Sequence, residues 1–113
     1  MVKKSSVSQD QVVRGSGNVF ADLGLPEAKE LHTKLRLAYA INEIVDGRRL
    51  TQARAAEVLG VPQPKISSLK NYKLEGFSVE RLMTFLTSLD RDVEISIRKR
   101  TSRTPAKITV VAA

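Results

Sequence analysis

The sequence predicts a mainly α-helical bundle of four to five helices that ends in a β-strand. Three observations predict it. Apolar residues recur at spacings of three and four through residues 31–45 and again through 79–89, which is the period of a one-sided helix. Glycine, proline and capping residues cut the stretch between them into short helical pieces. The segment DVEISIR then switches to strict alternation, the period of a strand.

Residues 1–17 are polar and carry no period, so they read as a flexible N-terminal arm. Asn18-Val19-Phe20 is a short apolar patch that could form a brief strand. Pro26 is tolerated only in a first helical turn, and Glu27 and Glu30 suit a helix N-terminus, so a first helix is expected over 27–45. Its apolar stripe is Leu31, Leu35, Ala38, Ile41 and Val45, widened by Leu37, Ala40 and Ile44. Gly47 is the expected left-handed C-cap. Thr51 can cap a second helix that runs to Leu59 and stops at Gly60. A third helix follows Val61-Pro62 and reaches about Asn71, with Pro64 confined to its first turn. Ser78 caps a fourth, and Phe77 and Leu82 stand at the two positions of a hydrophobic staple. Val79, Met83, Phe85, Leu86 and Leu89 complete its apolar face. In the strand, Val93, Ile95 and Ile97 share one side. The tail 99–113 is basic, and Ile108 to Val111 could form a further strand.

Composition narrows the function. The 113 residues suit one domain and a modest core. There is no cysteine, which removes disulfides, thiolate metal sites and thiol nucleophiles. The N-terminus lacks the apolar stretch of a secretion signal, and no apolar run approaches the ~20 residues of a membrane span. A soluble, cytoplasmic protein is expected. The net charge is +7. Residues 47–73 hold Arg48, Arg49, Arg54, Lys65, Lys70 and Lys73 against Glu57 alone, and residues 98–113 hold Arg98, Lys99, Arg100, Arg103 and Lys107 with no acid. Segregated positive charge attracts polyanions. It also fits a merely solvated face, so charge alone does not decide.

The stretch TQARAAEVLGVPQPKISSLKN, residues 51–71, does more. Two short helices joined by a glycine-containing turn describe a helix-turn-helix. Ala56 is expected to be small because the helices cross there, and Gly60 supplies a backbone conformation that other residues adopt at a cost. Val61, Ile66 and Leu69 face inward.

The string TQARAAEVLGVPQPKISSL resembles the Cro/CI-type (Xre) helix-turn-helix family, whose sequences run roughly T/S-Q-x-x-L/A-A-x-x-L-G-V and end in I/V-S. With NVFADLGLPEAKEL before it, and GFSVERLMTFLTSL and RDVEISIR after it, the arrangement is similar to the HigA-like antitoxin branch. The resemblance spans about residues 18–98, leaving the arm 1–17 and the tail 99–113 outside. Ala55 replaces a commoner leucine, and Arg54 stands where a capping glutamate is frequent.

The resemblance implies a lambda-repressor-like bundle whose third helix enters the major groove of a double-stranded DNA operator, where base edges distinguish all four pairs. Gln63, Pro64, Lys65, Ser67 and Ser68 would read bases: Gln63 suits adenine, Lys65 suits guanine, and Pro64 offers only apolar contact. Gln52, Arg54, Lys70, Asn71, Tyr72 and Lys73 would hold phosphates. One such unit touches few base pairs, so a homodimer is expected. Its interface would use Phe85, Leu89, Val93, Ile95 and Ile97, with strand pairing across the two-fold axis. Pairing of the strand with Val19-Phe20 or with Ile108–Val111 is the rival.

The resemblance further implies a repressor of its own operon that neutralises a toxin of the RelE superfamily. A stand-alone repressor and an interaction adaptor that ignores nucleic acid are the alternatives. An enzyme fits least. His32 is the single histidine, it belongs to no cluster, and no carboxylate pair, phosphate-binding glycine loop or metal constellation is present. No cofactor is expected.

Overall fold

The computed structural model describes residues 26–112. Four helices are found among them: α1 (Pro26–Gly47), α2 (Gln52–Leu59), α3 (Gln63–Lys70) and α4 (Val79–Ser88). The expected arm 1–17 and the patch Asn18 to Phe20 lie outside the described residues. The chain divides after His32, and the unit beginning at Thr33 carries the bundle.

The α1 periodicity places Leu37, Ala38, Ile41 and Val45 in the core, with Leu35, Ala40 and Ile44 at its edge. Leu31 is exposed, so the buried stripe starts later than its spacing suggests. α2 packs on α3 and also meets α4. Ala55, Leu59, Val61, Ile66, Leu69, Leu82, Phe85 and Leu89 close the core between these helices. Ala55 is the fully buried alanine, whereas Ala56 is only half-buried against the same cluster. Removal of bulk is therefore most consequential at Ala55. Phe77 and Leu82, the staple pair, are both buried, and Phe77 meets Phe85 edge-on at 6.0 Å between ring centres.

The caps explain the segmentation. The Arg54 amide donates to the Thr51 hydroxyl at 3.1 Å, and the Arg81 amide donates to Ser78 at 3.0 Å. Each bond satisfies one of the amides a helix start leaves free, an effect worth about 1 kcal/mol. Gly60 ends α2 in the left-handed region at φ 71°.

Gly47 does not play that part in α1. It remains helical, and Arg49 is the left-handed residue at φ 56°. The Leu50 amide bonds the Val45 carbonyl and the Arg49 amide bonds that of Asp46, the paired pattern of a Schellman ending. Leu50 then packs against the core as the apolar residue that follows. α3 and α4 end likewise, with Tyr72 (φ 58°) and Asp90 (φ 63°) in the left-handed position. A side chain there costs about 1–2 kcal/mol. Arg49→Gly should therefore raise stability by about 0.5–1 kcal/mol, part of the gain being offset by a freer unfolded chain. A melt displaced upward by about 3–6 °C is the expected readout.

The strand expected at Val93 to Ile97 is not formed. Residues 91–112 contain no helix or strand, and Val93, Ile95 and Ile97 are 36, 73 and 92% exposed. A strand needs a hydrogen-bonding neighbour, and Ile108–Val111 does not supply one here.

Candidate nucleic-acid interface

The α2–turn–α3 unit is positioned by its own backbone. Gly60 and Val61 both donate to the Ala56 carbonyl, which closes α2 and swings the chain into Pro62. Pro62 precedes α3 in an extended conformation, and Pro64 lies within the first turn, as its missing N–H requires. Ile66 and Leu69 anchor the inner face of α3, each 2% exposed. The opposite face presents Gln63, Pro64 and Lys65 to solvent, with Ser67 and Ser68 half-buried beside them. The five residues expected to read bases thus lie on one short helix, the first three exposed at its start.

Lys65 is exposed but engaged. Its ammonium sits 5.0 Å from the centre of the Phe77 ring and 3.4 Å from the Gly76 carbonyl oxygen. Both contacts favour a cation. A Cβ on Gly76 would approach that ammonium to 2.7 Å, and it meets nothing else within 4 Å. Gly76 also lacks the positive φ that an added side chain would strain. Gly76→Ala should therefore dislodge Lys65 and leave the fold intact. The expected result is altered base preference under the Lys65 position, read by selection from random duplexes, with an unchanged melting temperature.

The expected phosphate residues divide. Gln52, Tyr72 and Lys73 are exposed, and Gln52 opens α2 beside the cap of Thr51. Arg54 is exposed and pairs with Glu57 at 2.8 Å. Such a surface pair is worth little and is readily exchanged. Lys70 bonds Asp46 of α1 at 2.5 Å. The Asn71 amide group donates to the Ser67 carbonyl of its own helix at 2.9 Å.

The Lys70–Asp46 bond belongs to a clamp that sequence reasoning missed. α1 holds the C-terminal end of α3 twice, through Asp46 on Lys70 and through Asn42, whose buried side-chain amide donates to the Leu69 carbonyl at 3.2 Å. The Asn42 oxygen is buried without a hydrogen-bond partner. The signal was present: Asn42 interrupts the stripe of Ala38, Ile41 and Val45 as a polar residue. Arg48, also missed, donates to the Leu89 carbonyl at 2.5 Å and ties the end of α1 to the end of α4. On the outer face of α1, the Tyr39 hydroxyl bonds Glu43, and that bond to a carboxylate raises its pKa above 10.0.

Phe85 and Leu89, expected at a dimer interface, are 2 and 0% exposed within the chain itself. Their surface is consumed by the bundle's own core, which leaves only Val93, Ile95 and Ile97 of that set for a partner.

No group of metal-binding side chains occurs among the described residues, nor a helix long and apolar enough to cross a membrane. Comparison with curated proteins finds no match. A family model described as a helix-turn-helix domain matches residues 19–98. A solved structure described as an XRE-family transcriptional regulator is 65% identical, with a TM-score of 0.75, over 78% of this chain and 100% of its own. The match extends through the cap, the elbow and α3, and the chain belongs to the XRE family of helix-turn-helix proteins.

Proposed function

We propose that the protein is a sequence-specific, double-stranded-DNA-binding transcription regulator of the cytoplasm, acting at the nucleoid. The observation that carries this reading is the exposure of Gln63, Pro64 and Lys65 at the start of a helix whose inner face is fixed by Ile66 and Leu69. That arrangement suits insertion into a major groove, with Ser67 and Ser68 as the next readers. Gln52, Arg54, Asn71, Tyr72 and Lys73 fix register on phosphates, and Lys70 joins them by exchanging Asp46 for a phosphate.

The working unit is a homodimer. Val93, Ile95 and Ile97 leave an apolar edge with unpaired backbone on each copy, and antiparallel pairing of two such edges covers both. Two reading helices then face half-sites about 34 Å apart. Within the family, the HigA-like resemblance supports an antitoxin that represses its own operon and binds a RelE-superfamily toxin. A stand-alone repressor shares every feature of the reading helix and differs only in lacking that partner.

Nuclease footprinting on the DNA upstream of the protein's own gene tests the reading. Two protected half-sites one turn apart, together with a dimer in analytical ultracentrifugation, are the expected result. Uniform protection without a preferred site rejects sequence-specific regulation, and a monomer on one half-site rejects the paired edges. Co-purification of a small basic partner encoded by the adjacent gene separates the antitoxin from the stand-alone repressor.

A further inference from the structure

The segment after α4 is a pinned loop and not a free tail. At its root, the Arg91 amide bonds the Leu86 carbonyl and Leu89 is fully buried. At its return, Val110 packs against the core and its carbonyl accepts from Arg36 at 3.4 Å. Between these points, after Asp92 and Glu94 near the root, residues 98–110 hold Arg98, Lys99, Arg100, Arg103 and Lys107 with no acidic residue. All five are exposed, and none forms an ion pair with a described residue.

The tip is shaped. The Arg100 guanidinium donates to the Thr104 carbonyl at 3.0 Å, to Ser102 at 3.1 Å and to the Thr104 hydroxyl. The Thr104 amide donates to Ser102 at 3.0 Å. Arg100 is thus spent on holding a turn, and that turn displays Arg98, Lys99, Arg103 and Lys107. Like charges gathered on one short loop repel one another, and a polyanion relieves the repulsion.

We propose that this loop is a second DNA-binding element, which grips phosphates outside the base pairs read by α3. Three features favour a nucleic-acid backbone over an acidic protein surface. Arg98 and Arg103 carry guanidinium forks that fit phosphate oxygens, and a run of five cations with no acid matches the repeated charge of a duplex backbone more closely than the mixed charge of a protein surface. Thr101 adds a hydroxyl beside the turn that Ser102 and Thr104 close between themselves. The ten residues from Arg91 to Arg100 can extend about 30 Å at most, nearly a full turn of duplex. The inference rests on the reading of α3 as the DNA-contacting helix, but its contribution is different in kind: affinity without sequence preference.

The test measures duplex binding by fluorescence anisotropy from 50 to 200 mM salt. Two probes are used, a duplex selected from a random pool by the full chain and a scrambled duplex of equal length. In the full-length protein, Arg98, Lys99, Arg103 and Lys107 are changed together to glutamine. These side chains lie outside the core, and the melting temperature serves as the folding control. The slope of log affinity against log salt should fall by roughly 2–4, at about 0.9 for each lost phosphate contact. Affinity for both probes should fall tenfold or more at 100 mM salt, with their ratio unchanged. Arg98→Lys with Arg103→Lys should keep the slope. Slope and affinity unchanged in the glutamine variant overturn the loop's role while selection by the wild type upholds α3. Loss of the slope in a protein that never discriminated the probes upholds the loop and rejects α3 as reader. A wild type that binds neither duplex overturns both.

Discussion

Asn42→Asp should lower folding stability by about 1–3 kcal/mol or more at neutral pH, the cost of burying an unsatisfied acceptor that also carries charge. Asn42 is 6% exposed and its amide group points at the Leu69 carbonyl. Aspartate keeps the shape but presents a buried acceptor to the carbonyl in place of a donor. The neutral acid is then favoured in the folded state, so the folded pKa lies above the unfolded value near 3.9. The sign follows: the penalty is absent below the unfolded pKa, grows as pH rises towards the folded pKa, and is constant above it. Chemical denaturation at pH 3.5 and pH 7.5 checks this. The variant should approach the wild type at the lower pH, and a gap equal at both values would show that the site admits water. Asn42→Leu provides the contrast. It removes the unpartnered oxygen as well as the donor, and the Leu69 carbonyl still accepts from the Tyr72 amide, so the expected change is small.

Gln63→Ala should weaken binding to the preferred site by roughly 5- to 150-fold, the equivalent of about 1–3 kcal/mol for a bidentate base contact. Affinity for scrambled duplex should hardly change, and so should the salt slope, because no phosphate contact is lost. Gln63 is exposed and contributes nothing to the buried cluster, so the melting temperature should stay where it is. Anisotropy titration against a panel of single-base variants of the site is the measurement. The wild type should discriminate at one base pair in each half-site where the variant does not. Equal losses on selected and scrambled DNA would move Gln63 from the reading set to the phosphate set.

The reading unit was legible because its determinants are local. Thr51, Gly60, Pro62 and Ser78 act on backbone groups within a few residues of themselves, and each stands where its type requires. Errors arose where the third dimension chooses between equivalent options. Gly47 was the obvious left-handed residue by type, but the position is set by where Leu50 must turn inward, which puts Arg49 there. The periodicity of α4 marks Phe85 and Leu89 as apolar, and it cannot say whether their cover is the same chain or another; the bundle's own buried cluster supplies it, with α2 against α4. Lys65 can extend into solvent or lie on a ring, and only the fold brings Phe77 within 5.0 Å. Asn42 needed the helical stripe to be read for its exception as well as its rule. A strand signal such as Val93-Glu94-Ile95-Ser96-Ile97 describes what a segment can pair as, and the pairing itself needs a neighbour that these residues do not carry.

Arg48 joins the last carbonyl of α4 to the corner where α1 turns towards Thr51. The root of the basic loop and the entry to α2 are therefore joined by one side-chain hydrogen bond. In the proposed complex, tension on the loop from DNA or a second subunit would reach Arg48, three residues ahead of the cap that opens α2. The two proposed grips on the double helix would thus be coupled through a single side-chain bond.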